Sequence, residues 1–354
     1  MITDRSKHKI LIAADGFVSD NFRDTIKKEL PAEIELFYFD ATVRRRLKRV
    51  LRHISYFFVA VRAFKNRNNY KGIIFWQQFI GIYYGLLTRF LGAKTFPPSV
   101  TFHFIYKERK GLIGWLLKGI FKRALEAEAL AAFVCYSDIE RDYYLKEFGG
   151  EFENKIFFKT LGIDIPTQVV QTYQETNRYF FSGGTSNRDY STLLRAFEGS
   201  DVKLVIACLP KDVRGLKAHK NVEIIHNSFG QDFLEKIGNA YGVIIPLENP
   251  RISSGQLVLL TAMALGKPII ITKGGCAQDY VSQDCALLVR DHSEEDIRES
   301  VQILLRDRKK ANLLAVNALM RYKERFTLEA FGKNIAEVFK VVEIGVERSI
   351  ASKR

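Results

Sequence analysis

Short apolar runs alternate along the chain with segments whose apolar residues recur at helical spacing. This alternation predicts α/β architecture with parallel sheets, because each helix returns the chain to the edge where the next strand begins. In the first half, the predicted strands are Lys9–Ala14, Glu33–Phe39, Gly72–Trp76, Ser99–Phe104, Ala132–Cys135 and Lys155–Lys159. The predicted helices are Ser19–Leu30, Thr42–Lys65, Phe79–Leu91 and Gly111–Glu128.

A polar stretch at 167–177 has no clear periodicity and predicts an interdomain linker. Beyond it, a second series of strands is predicted at Arg178–Ser182, Lys203–Cys208, Val222–His226, Gly242–Ile245, Lys267–Thr272 and Ala286–Val289. The helices of this series are Ser191–Phe197, Gln231–Ile237, Ser254–Leu265, Ser293–Arg306, Arg308–Phe326 and Thr327–Ser349. We therefore predict two domains, at 1–165 and 178–334, with a C-terminal helix at about 335–354 that can pack back on the first.

Composition narrows the class of protein. The 354 residues are 47% hydrophobic, which excludes disorder as the main state. Charges within Met1–Ile10 disfavour a signal peptide, and no apolar run approaches the ~18 residues of a membrane span. The four cysteines form no CxxC pair and are typical of buried thiols in a reducing compartment. These features predict a cytoplasmic protein.

Positive charge is concentrated in one window. The chain has 54 Lys and Arg against 40 Asp and Glu, a net charge of +14. Ala41–Leu125 alone holds 18 basic residues and one acidic residue, a net charge of +17, together with both tryptophans. Such a block can face nucleic acid, an anionic membrane or an acidic substrate, or it can be a solvated face without a partner.

The segment Pro250–Gly275 carries the strongest chemical signal. Leu257–Leu265 is apolar nearly all round, which predicts a helix buried between layers. Ser253 and Ser254 are suited to cap this helix, and Gly255 allows a ligand to approach the backbone. The free N–H groups and the dipole at its start are suited to a phosphate. An ordinary core helix with ordinary caps is the other interpretation.

The same segment resembles the signature region of GT-B glycosyltransferases of the group-one, family-four-like type. The motifs that carry the resemblance include Leu259–Ile270 (LLTAMALGKPII), Gly274-Gly275, Asp279-Tyr280-Val281, Ala286–Val289 and Arg325-Phe326-Thr327. Their order and spacing hold over roughly 170 residues from Tyr179 onward. The first half is similar more loosely, at Ser137–Arg141 and Leu161–Asp164. The resemblance implies two Rossmann-like domains facing each other across a cleft, the second binding a nucleotide sugar and the first the acceptor.

Three residues are predicted to be catalytic. Arg188 lies in a glycine-containing turn after a strand, where a fixed cation is suited to a diphosphate, and by resemblance it stands where the family usually has a lysine. By resemblance, His103 matches a strand-end histidine that touches the donor sugar in retaining members. Asp15 ends the first strand, where ligands bind in open α/β sheets. A solvent-facing arginine, a core histidine and a turn aspartate are the simpler alternatives.

The resemblance implies donor-binding residues at the ends of the second domain's strands, just before the Leu257–Leu265 helix and within it. They are Gly183, Gly184, Asn227, Ser253, Ser254, Gly255, Gln256 and Thr261. Ser253 and Thr261 stand where many family members carry glutamates for the sugar and the ribose, so this chain departs from the family there. No DxD motif is present, which favours metal-independent neutralisation of the diphosphate by Arg188 and the helix dipole.

The basic window is predicted to form a membrane and acceptor face, because its cations lie beside Trp, Leu and Phe as in interfacial helices. Its residues are Arg44, Arg45, Arg46, Lys48, Arg49, Trp115, Lys118, Lys122 and Arg123. We therefore predict peripheral attachment to the inner face of the cell membrane and a lipid-linked saccharide acceptor. No nucleic-acid binding motif accompanies the charge, so a nucleic-acid partner is disfavoured.

The resulting hypothesis is a metal-independent hexosyltransferase of bacterial surface polysaccharide or glycolipid synthesis. It would use a nucleotide-diphosphate sugar, with UDP favoured over GDP, a retaining outcome favoured, no metal site and no other cofactor. A catalytically silent glycosyltransferase-like scaffold and a nucleotide-sugar epimerase remain alternatives, and a basic nucleic-acid binder is less favoured.

Overall fold

The structure is a computed structural model that describes residues 8–39, 49–165, 179–226, 228 and 230–352. The linker predicted at 167–177 lies outside these residues. The chain divides into two compact units. Unit 1 comprises Met1–Tyr136, Arg141–Lys159 and Phe331–Arg354, and unit 2 comprises Ser137–Glu140 and Thr160–Ala330.

Unit 1 contains one parallel sheet of six strands: β1 (Lys9–Ala13), β2 (Glu33–Phe37), β3 (Gly72–Phe75), β4 (Ser99–Thr101), β5 (Ala132–Cys135) and β6 (Ile156–Phe158). The spatial order is β2-β1-β3-β4-β5-β6. The helices are α1 (Asp20–Glu29), α2 (Arg49–Asn66), α3 (Gln78–Phe90), α4 (Gly111–Leu125) and α5 (Asp138–Phe148), of which the first three residues belong to unit 2. Helices α2, α3 and α4 pack side by side, α3 lying between the other two.

Unit 2 contains a second parallel sheet: β7 (Tyr179–Gly183), β8 (Lys203–Cys208), β9 (Val222–His226), β10 (Gly242–Ile245), β11 (Ile269–Thr272) and β12 (Leu287–Val289). Its order, β12-β11-β10-β7-β8-β9, is that of the Rossmann fold. The helices are α6 (Tyr190–Ala196), α7 (Gln231–Asn239), α8 (Gln256–Ala264), α9 (Gly275–Gln278), α10 (Glu294–Arg306) and α11 (Arg308–Arg325).

The unit 2 sheet is buried on both faces. Phe180 and Phe181 are neighbours in β7, and they belong to different apolar clusters because successive strand residues point to opposite faces. Phe181 packs with the helix α8, and Phe180 packs with α6 and α10. Strands covered on both sides are near-continuous apolar runs, which is why the sequence pattern predicts them well.

The chain ends in α12 (Leu328–Ser352), most of which belongs to unit 1. Phe331 packs against the rings of Phe22, Trp76 and Phe102. Gly72 in β3 leaves room for Phe339, because a Cβ there would lie 1.9 Å from that ring. None of the helices in the described ranges combines the length and the apolar character that crossing a bilayer requires.

Several predicted elements differ from the structure by a few residues at their ends, and two of these differences concern the predicted site residues. The strand predicted at Ser99–Phe104 stops at Thr101, because His103 has a φ of 53°, which no strand residue adopts. The helix predicted from Ser254 begins at Gln256, and its N-cap is Gly255 with a φ of 90°. Ser253 and Ser254 therefore do not cap this helix, and that prediction is wrong.

Candidate functional site

The order of the unit 2 strands reverses between β7 and β10, which are paired neighbours. In open α/β sheets ligands bind at such a point, outside the carboxyl ends of the strands. The two strands end at Gly183 and Ile245, and a short antiparallel bridge joins Arg188 to Leu247 just beyond them. The predicted residues Gly183, Gly184 and Arg188 therefore lie at this reversal point.

Arg188 is held rigidly by backbone carbonyls. Its Nε donates to the carbonyl of Gly183 at 3.0 Å, and its Nη1 donates to the carbonyl of Ser186 at 2.7 Å. No carboxylate in the described ranges forms an ion pair with it. Burial lowers the pKa of Arg188, but an arginine stays protonated in proteins. The result is an oriented, half-buried cation without a counter-ion in this part of the structure, which favours binding of an anion.

Two glycines let the backbone approach this cation. Gly184 has a φ of 117°, and a Cβ there would lie 2.7 Å from the Arg188 Nη2. Gly255 has a φ of 90°, and a Cβ there would lie 3.6 Å from the same nitrogen. Arg188 therefore lies beside Gly255, the N-cap of α8, so the guanidinium and the positive end of the helix dipole face the same small region.

Helix α8 starts without a side-chain cap. Its first turn therefore presents backbone N–H groups that a bound anion can accept. The predicted donor-binding residue Gln256 is the first residue of the helix, and its side-chain amide donates to Ser253. The Ser254 hydroxyl donates to the carbonyl of Ile252 at 3.4 Å.

Asn187 is a residue that the sequence analysis missed. Its side-chain amide donates to the carbonyl of Asn249 at 2.8 Å and to the hydroxyl of Ser254 at 2.9 Å. Its side-chain oxygen accepts from the Asn249 N–H at 2.9 Å. Asn187 thus fastens the turn that carries Arg188 to the loop before α8, at a φ of 57° that asparagine tolerates well. Its position next to Arg188 was the only available signal.

The remaining predicted donor-binding residues are Thr261 and Asn227. Thr261 is buried in α8, and its hydroxyl donates to the Leu257 carbonyl at 2.7 Å, so its proton is already used within the helix. Asn227 lies outside the described residues. Its neighbour Ser228 donates a short hydrogen bond to Asp232 at 2.5 Å. The predicted role of Thr261 at a ribose stays a prediction.

Close packing explains why positions 274 and 275 are glycines. A Cβ on Gly274 would lie 2.2 Å from Pro250, and one on Gly275 would lie 1.8 Å from Ile139. Asp279 accepts a hydrogen bond from the N–H of Asp138 at 3.2 Å. These contacts fix the Pro250 loop, which leads into α8, so the motif supports the site through the backbone.

In unit 1, Asp15 and His103 follow two strands of the same sheet, β1 and β4. Asp15 lies just after β1, is buried, and accepts from the hydroxyl of Tyr56 at 3.3 Å. His103 lies just after β4, with its ring 6.0 Å from that of Trp76, which follows β3. The Tyr136 hydroxyl accepts from the backbone N–H of His103 at 3.2 Å. Both predicted residues therefore lie at the carboxyl edge of the unit 1 sheet.

Two exposed aromatic side chains at the same edge were also missed. Phe17 lies four residues after β1 and Tyr38 directly after β2, and their ring centroids are 6.4 Å apart. The guanidinium of Arg23 lies 5.2 Å from the Phe17 ring. Because β1 and β2 are paired, the pair stands beside Asp15 in the fold. Single aromatic residues outside a periodic pattern carry little sequence signal.

A possible cation-binding group lies beyond Arg188. Ligand atoms of Asp189, Glu248 and His292 all fall within 4.8 Å of one another. Asp189, however, already caps α6 through the N–H of Thr192 at 2.9 Å and accepts from His292 at 2.7 Å. Both carboxylate oxygens of Asp189 are thus used in holding the turn. This structural role is enough to explain why the three side chains lie close together.

A cleft of about 1020 Å3 in unit 2 lies away from these residues. Tyr179, Lys203 and Val222 line it, and they are the first residues of their strands. The cleft therefore opens at the amino edge of the sheet, whereas Arg188 lies at the carboxyl edge. Ligands of open α/β sheets bind at the carboxyl edge, so this cleft is not the donor site.

The predicted membrane and acceptor face is described only in part. Arg44, Arg45, Arg46 and Lys48 lie outside the described residues, and Arg49 is the first residue of α2. In α4, Trp115 is 71% exposed, and Lys122 and Arg123 are also exposed. Lys118 forms an ion pair with Glu147 of α5, which raises the pKa of the lysine.

Comparison with known proteins confirms the resemblance inferred from the motifs. A family model described as glycosyl transferases group 1 matches residues 185–307. That stretch contains Arg188, the loop at 246–255 and all of α8. Among curated proteins, no sequence is a significant match to this chain.

Solved structures match nearly the whole chain. HepE of Anabaena in complex with UDP is 15% identical, covers 94% of this chain and 99% of its own, and has a TM-score of 0.64. Sucrose-phosphate synthase of Thermosynechococcus elongatus is 14% identical, with coverages of 94% and 98% and a TM-score of 0.66. WaaG, a glycosyltransferase involved in lipopolysaccharide biosynthesis, is 14% identical, with coverages of 93% and 99% and a TM-score of 0.58.

The solved structures define the fold of this protein, and the family model matches one stretch of its sequence. The chain has the two-sheet α/β architecture of GT-B glycosyltransferase structures. Over residues 185–307 its sequence also matches the family model described as glycosyl transferases group 1.

Proposed function

We propose that this protein transfers a sugar from a nucleotide-diphosphate sugar to a saccharide acceptor. The observation that carries the proposal is the position of Arg188 beside the uncapped start of α8, at the reversal point of the unit 2 sheet. A fixed guanidinium and a helix N-terminus both stabilise negative charge. The leaving group of this reaction is a nucleoside diphosphate, so the same two features would lower the barrier to its departure.

UDP is the favoured nucleotide. Structural neighbours with the same fold are complexes of Anabaena HepE with UDP, with UDP-glucose, and with UDP and glucose. The identity of 14–15% carries the fold alone, so the nucleotide is part of the proposal. Arg188 and α8 would neutralise the diphosphate without a metal ion. A retaining outcome is favoured because His103 would be placed at the donor sugar, by resemblance to retaining members.

The acceptor is proposed to bind at the carboxyl edge of the unit 1 sheet. Asp15 could accept the proton of an acceptor hydroxyl there. The exposed rings of Phe17 and Tyr38 could pack against the apolar face of a sugar. A lipid-linked acceptor of bacterial surface polysaccharide or glycolipid synthesis would explain why this half of the chain carries the basic window.

A catalytically silent scaffold is the second candidate. Two observations favour it: Ser253 and Thr261 replace the glutamates of many relatives, and the hydroxyl of Thr261 donates to its own helix. A neutral hydroxyl binds a ribose less strongly than a carboxylate does.

Turnover with a panel of nucleotide sugars separates the two candidates. We would incubate the full chain with UDP- and GDP-sugars and lipid-linked saccharide acceptors, with and without EDTA, and detect released nucleoside diphosphate by mass spectrometry. The enzyme hypothesis predicts release from one UDP-sugar that EDTA does not reduce, and NMR of the product would report the anomer. Nucleotide binding with no release, from any sugar and with lipid-linked saccharides present, would support the scaffold.

A further inference from the structure

Helix α4 of unit 1 has an apolar surface that no other described element covers. Its side chains Leu112, Ile113, Trp115 and Leu116 are between 49% and 72% exposed. They lie at spacings of three and four residues, so they share one side of the amino-terminal half of the helix. Large apolar side chains clustered on a protein surface mark interaction sites, so this patch indicates a contact with a partner.

The opposite side of the same helix accounts for its packing. Gly114, Phe121, Ala124 and Leu125 are buried. Phe121 contacts Phe79 of α3, and Tyr83 of α3 contacts Phe57 of α2. The helix is therefore firmly attached to unit 1 without the exposed patch, which is free to serve another purpose.

Basic residues flank this patch. Lys107, Arg109 and Lys110 precede α4 and are exposed, and Lys122 and Arg123 follow the patch and are also exposed. Glu108 is the only acidic residue between 107 and 123, against six basic residues. Lys118 is engaged by Glu147, so the cations outside the ion pair lie at both ends of the helix.

We propose that this patch, Leu112, Ile113, Trp115 and Leu116, inserts into the interface of an anionic lipid bilayer. The apolar side chains would enter the boundary between headgroups and acyl chains, and the flanking cations would contact lipid phosphates. Tryptophan is suited to that depth, because its ring is apolar and its N–H can reach the headgroups. A second copy of this chain is disfavoured as the partner, because two such patches would bring their flanking positive charges together.

The proposed membrane contact is smaller than the basic window. Its inserting element is the amino-terminal half of α4, whereas Lys118 contributes to the packing of unit 1. It does not depend on the nucleotide sugar, so vesicle binding and donor turnover can fail separately.

Flotation of the full chain with vesicles tests the proposal. Binding to vesicles containing phosphatidylglycerol should exceed binding to pure phosphatidylcholine and should weaken as salt rises from about 0.1 M to about 0.5 M. Trp115→Ser combined with Leu116→Ser should lower the partition coefficient about tenfold or more, because the buried apolar area is lost. The matched control is Leu313→Ser combined with Met320→Ser on α11 of unit 2, whose side chains are 60% and 64% exposed.

A second measurement leaves the patch itself unchanged. In a Trp76→Phe variant, which keeps Trp115 as its one tryptophan, the emission should shift to the blue with anionic vesicles and be quenched by brominated lipid. Four outcomes would overturn the proposal: no vesicle binding, equal loss in the α11 control, concentration-dependent dimers that bury Trp115 without lipid, or binding to DNA in preference to vesicles.

Discussion

At the scale of single residues, backbone strain in unit 2 gathers around the Arg188 turn. In the described ranges, the non-glycine residues with positive φ are His103, Asn187 and His292. Each such residue costs on the order of 1 kcal/mol or more, so the surroundings must hold it in place. Asn187 fastens the Arg188 turn, His292 contacts Asp189 in the same turn, and His103 follows β4 of unit 1.

Replacing Asn187 separates its hydrogen bonds from its backbone conformation. Asn187→Ala loses the hydrogen bonds to Asn249 and Ser254. Alanine also tolerates the positive φ of this position less well than asparagine does. Asn187→Gly loses the same bonds and accepts the φ freely. We expect both variants to raise the donor KM several-fold and to lower the melting temperature, the alanine variant more than the glycine variant because it adds strain. Equal melting temperatures would show that the strain is not the larger cost.

Replacing Arg188 tests its role at the leaving group. Arg188→Ala should lower kcat by about 10²- to 10³-fold, because a fixed charge aimed at the developing anion is lost. Arg188→Lys should retain more activity than alanine, since the charge remains. Arg195→Ala is the control, because Arg195 pairs with Glu294 on the surface of the same unit. A steady-state assay in which Arg188→Ala and Arg195→Ala behave alike would refute the role.

At the scale of elements, the start of α8 depends on a left-handed glycine. Gly255→Ala forces a Cβ residue to a φ of 90° and brings it within 3.1 Å of Ile245. We expect a loss of about 1–3 kcal/mol in the free energy of unfolding, measured by urea titration, together with weaker nucleotide binding. Gly119→Ala in α4 is the control. A Cβ there meets only the end of Arg123 at 3.8 Å, so it should stabilise the helix by about 0.5–1 kcal/mol.

The cap of α6 makes part of the stability depend on pH. The hydrogen bond to Asp189 raises the pKa of His292 above 6.5, against the opposing effect of desolvation. Burial alone would raise the pKa of Asp189, but hydrogen bonds from Thr192 and His292 outweigh it and hold the pKa below 3.8. The histidine's contribution is therefore complete below pH 6.5 and is lost as the pH rises through its folded value. The aspartate's contribution is present above pH 3.8 and is lost as the pH falls.

Melting curves of wild type and His292→Asn should show this window. Asparagine tolerates the φ of 54° but does not become charged. We expect the wild-type advantage to be largest near pH 5–6 and to shrink by about pH 9. His219→Asn, in a loop of the same unit, is the control. A constant difference between wild type and His292→Asn across the range would show that the charge of His292 does not contribute.

Buried elements could be predicted from the sequence, and features formed by distant parts of the chain could not. The strands β1, β3 and β10 are continuous apolar runs, so their pattern identifies them. Helix α5 was missed, because Asp138–Phe148 interleaves polar and aromatic residues without a clear stripe. The partners of Asn187 lie 62 and 67 residues away, and no local pattern reports them.

At the scale of the whole molecule, the two units carry different surfaces. Unit 1 contains the whole basic window and the exposed patch of α4, whereas unit 2 contains Arg188 and α8. The window Ala41–Leu125 carries a net charge of +17, and the rest of the chain sums to −3. We infer that attachment and acceptor binding belong to unit 1, and that donor chemistry belongs to unit 2.

The most direct test of the central claim is calorimetric titration of the full chain with UDP. The account predicts that wild type and Arg195→Ala bind UDP with the same affinity and that Arg188→Ala binds about tenfold more weakly or worse, because the cation faces the diphosphate. It also predicts binding without added metal. Absence of UDP binding to the wild type at millimolar concentration, or equal binding by Arg188→Ala, would contradict it.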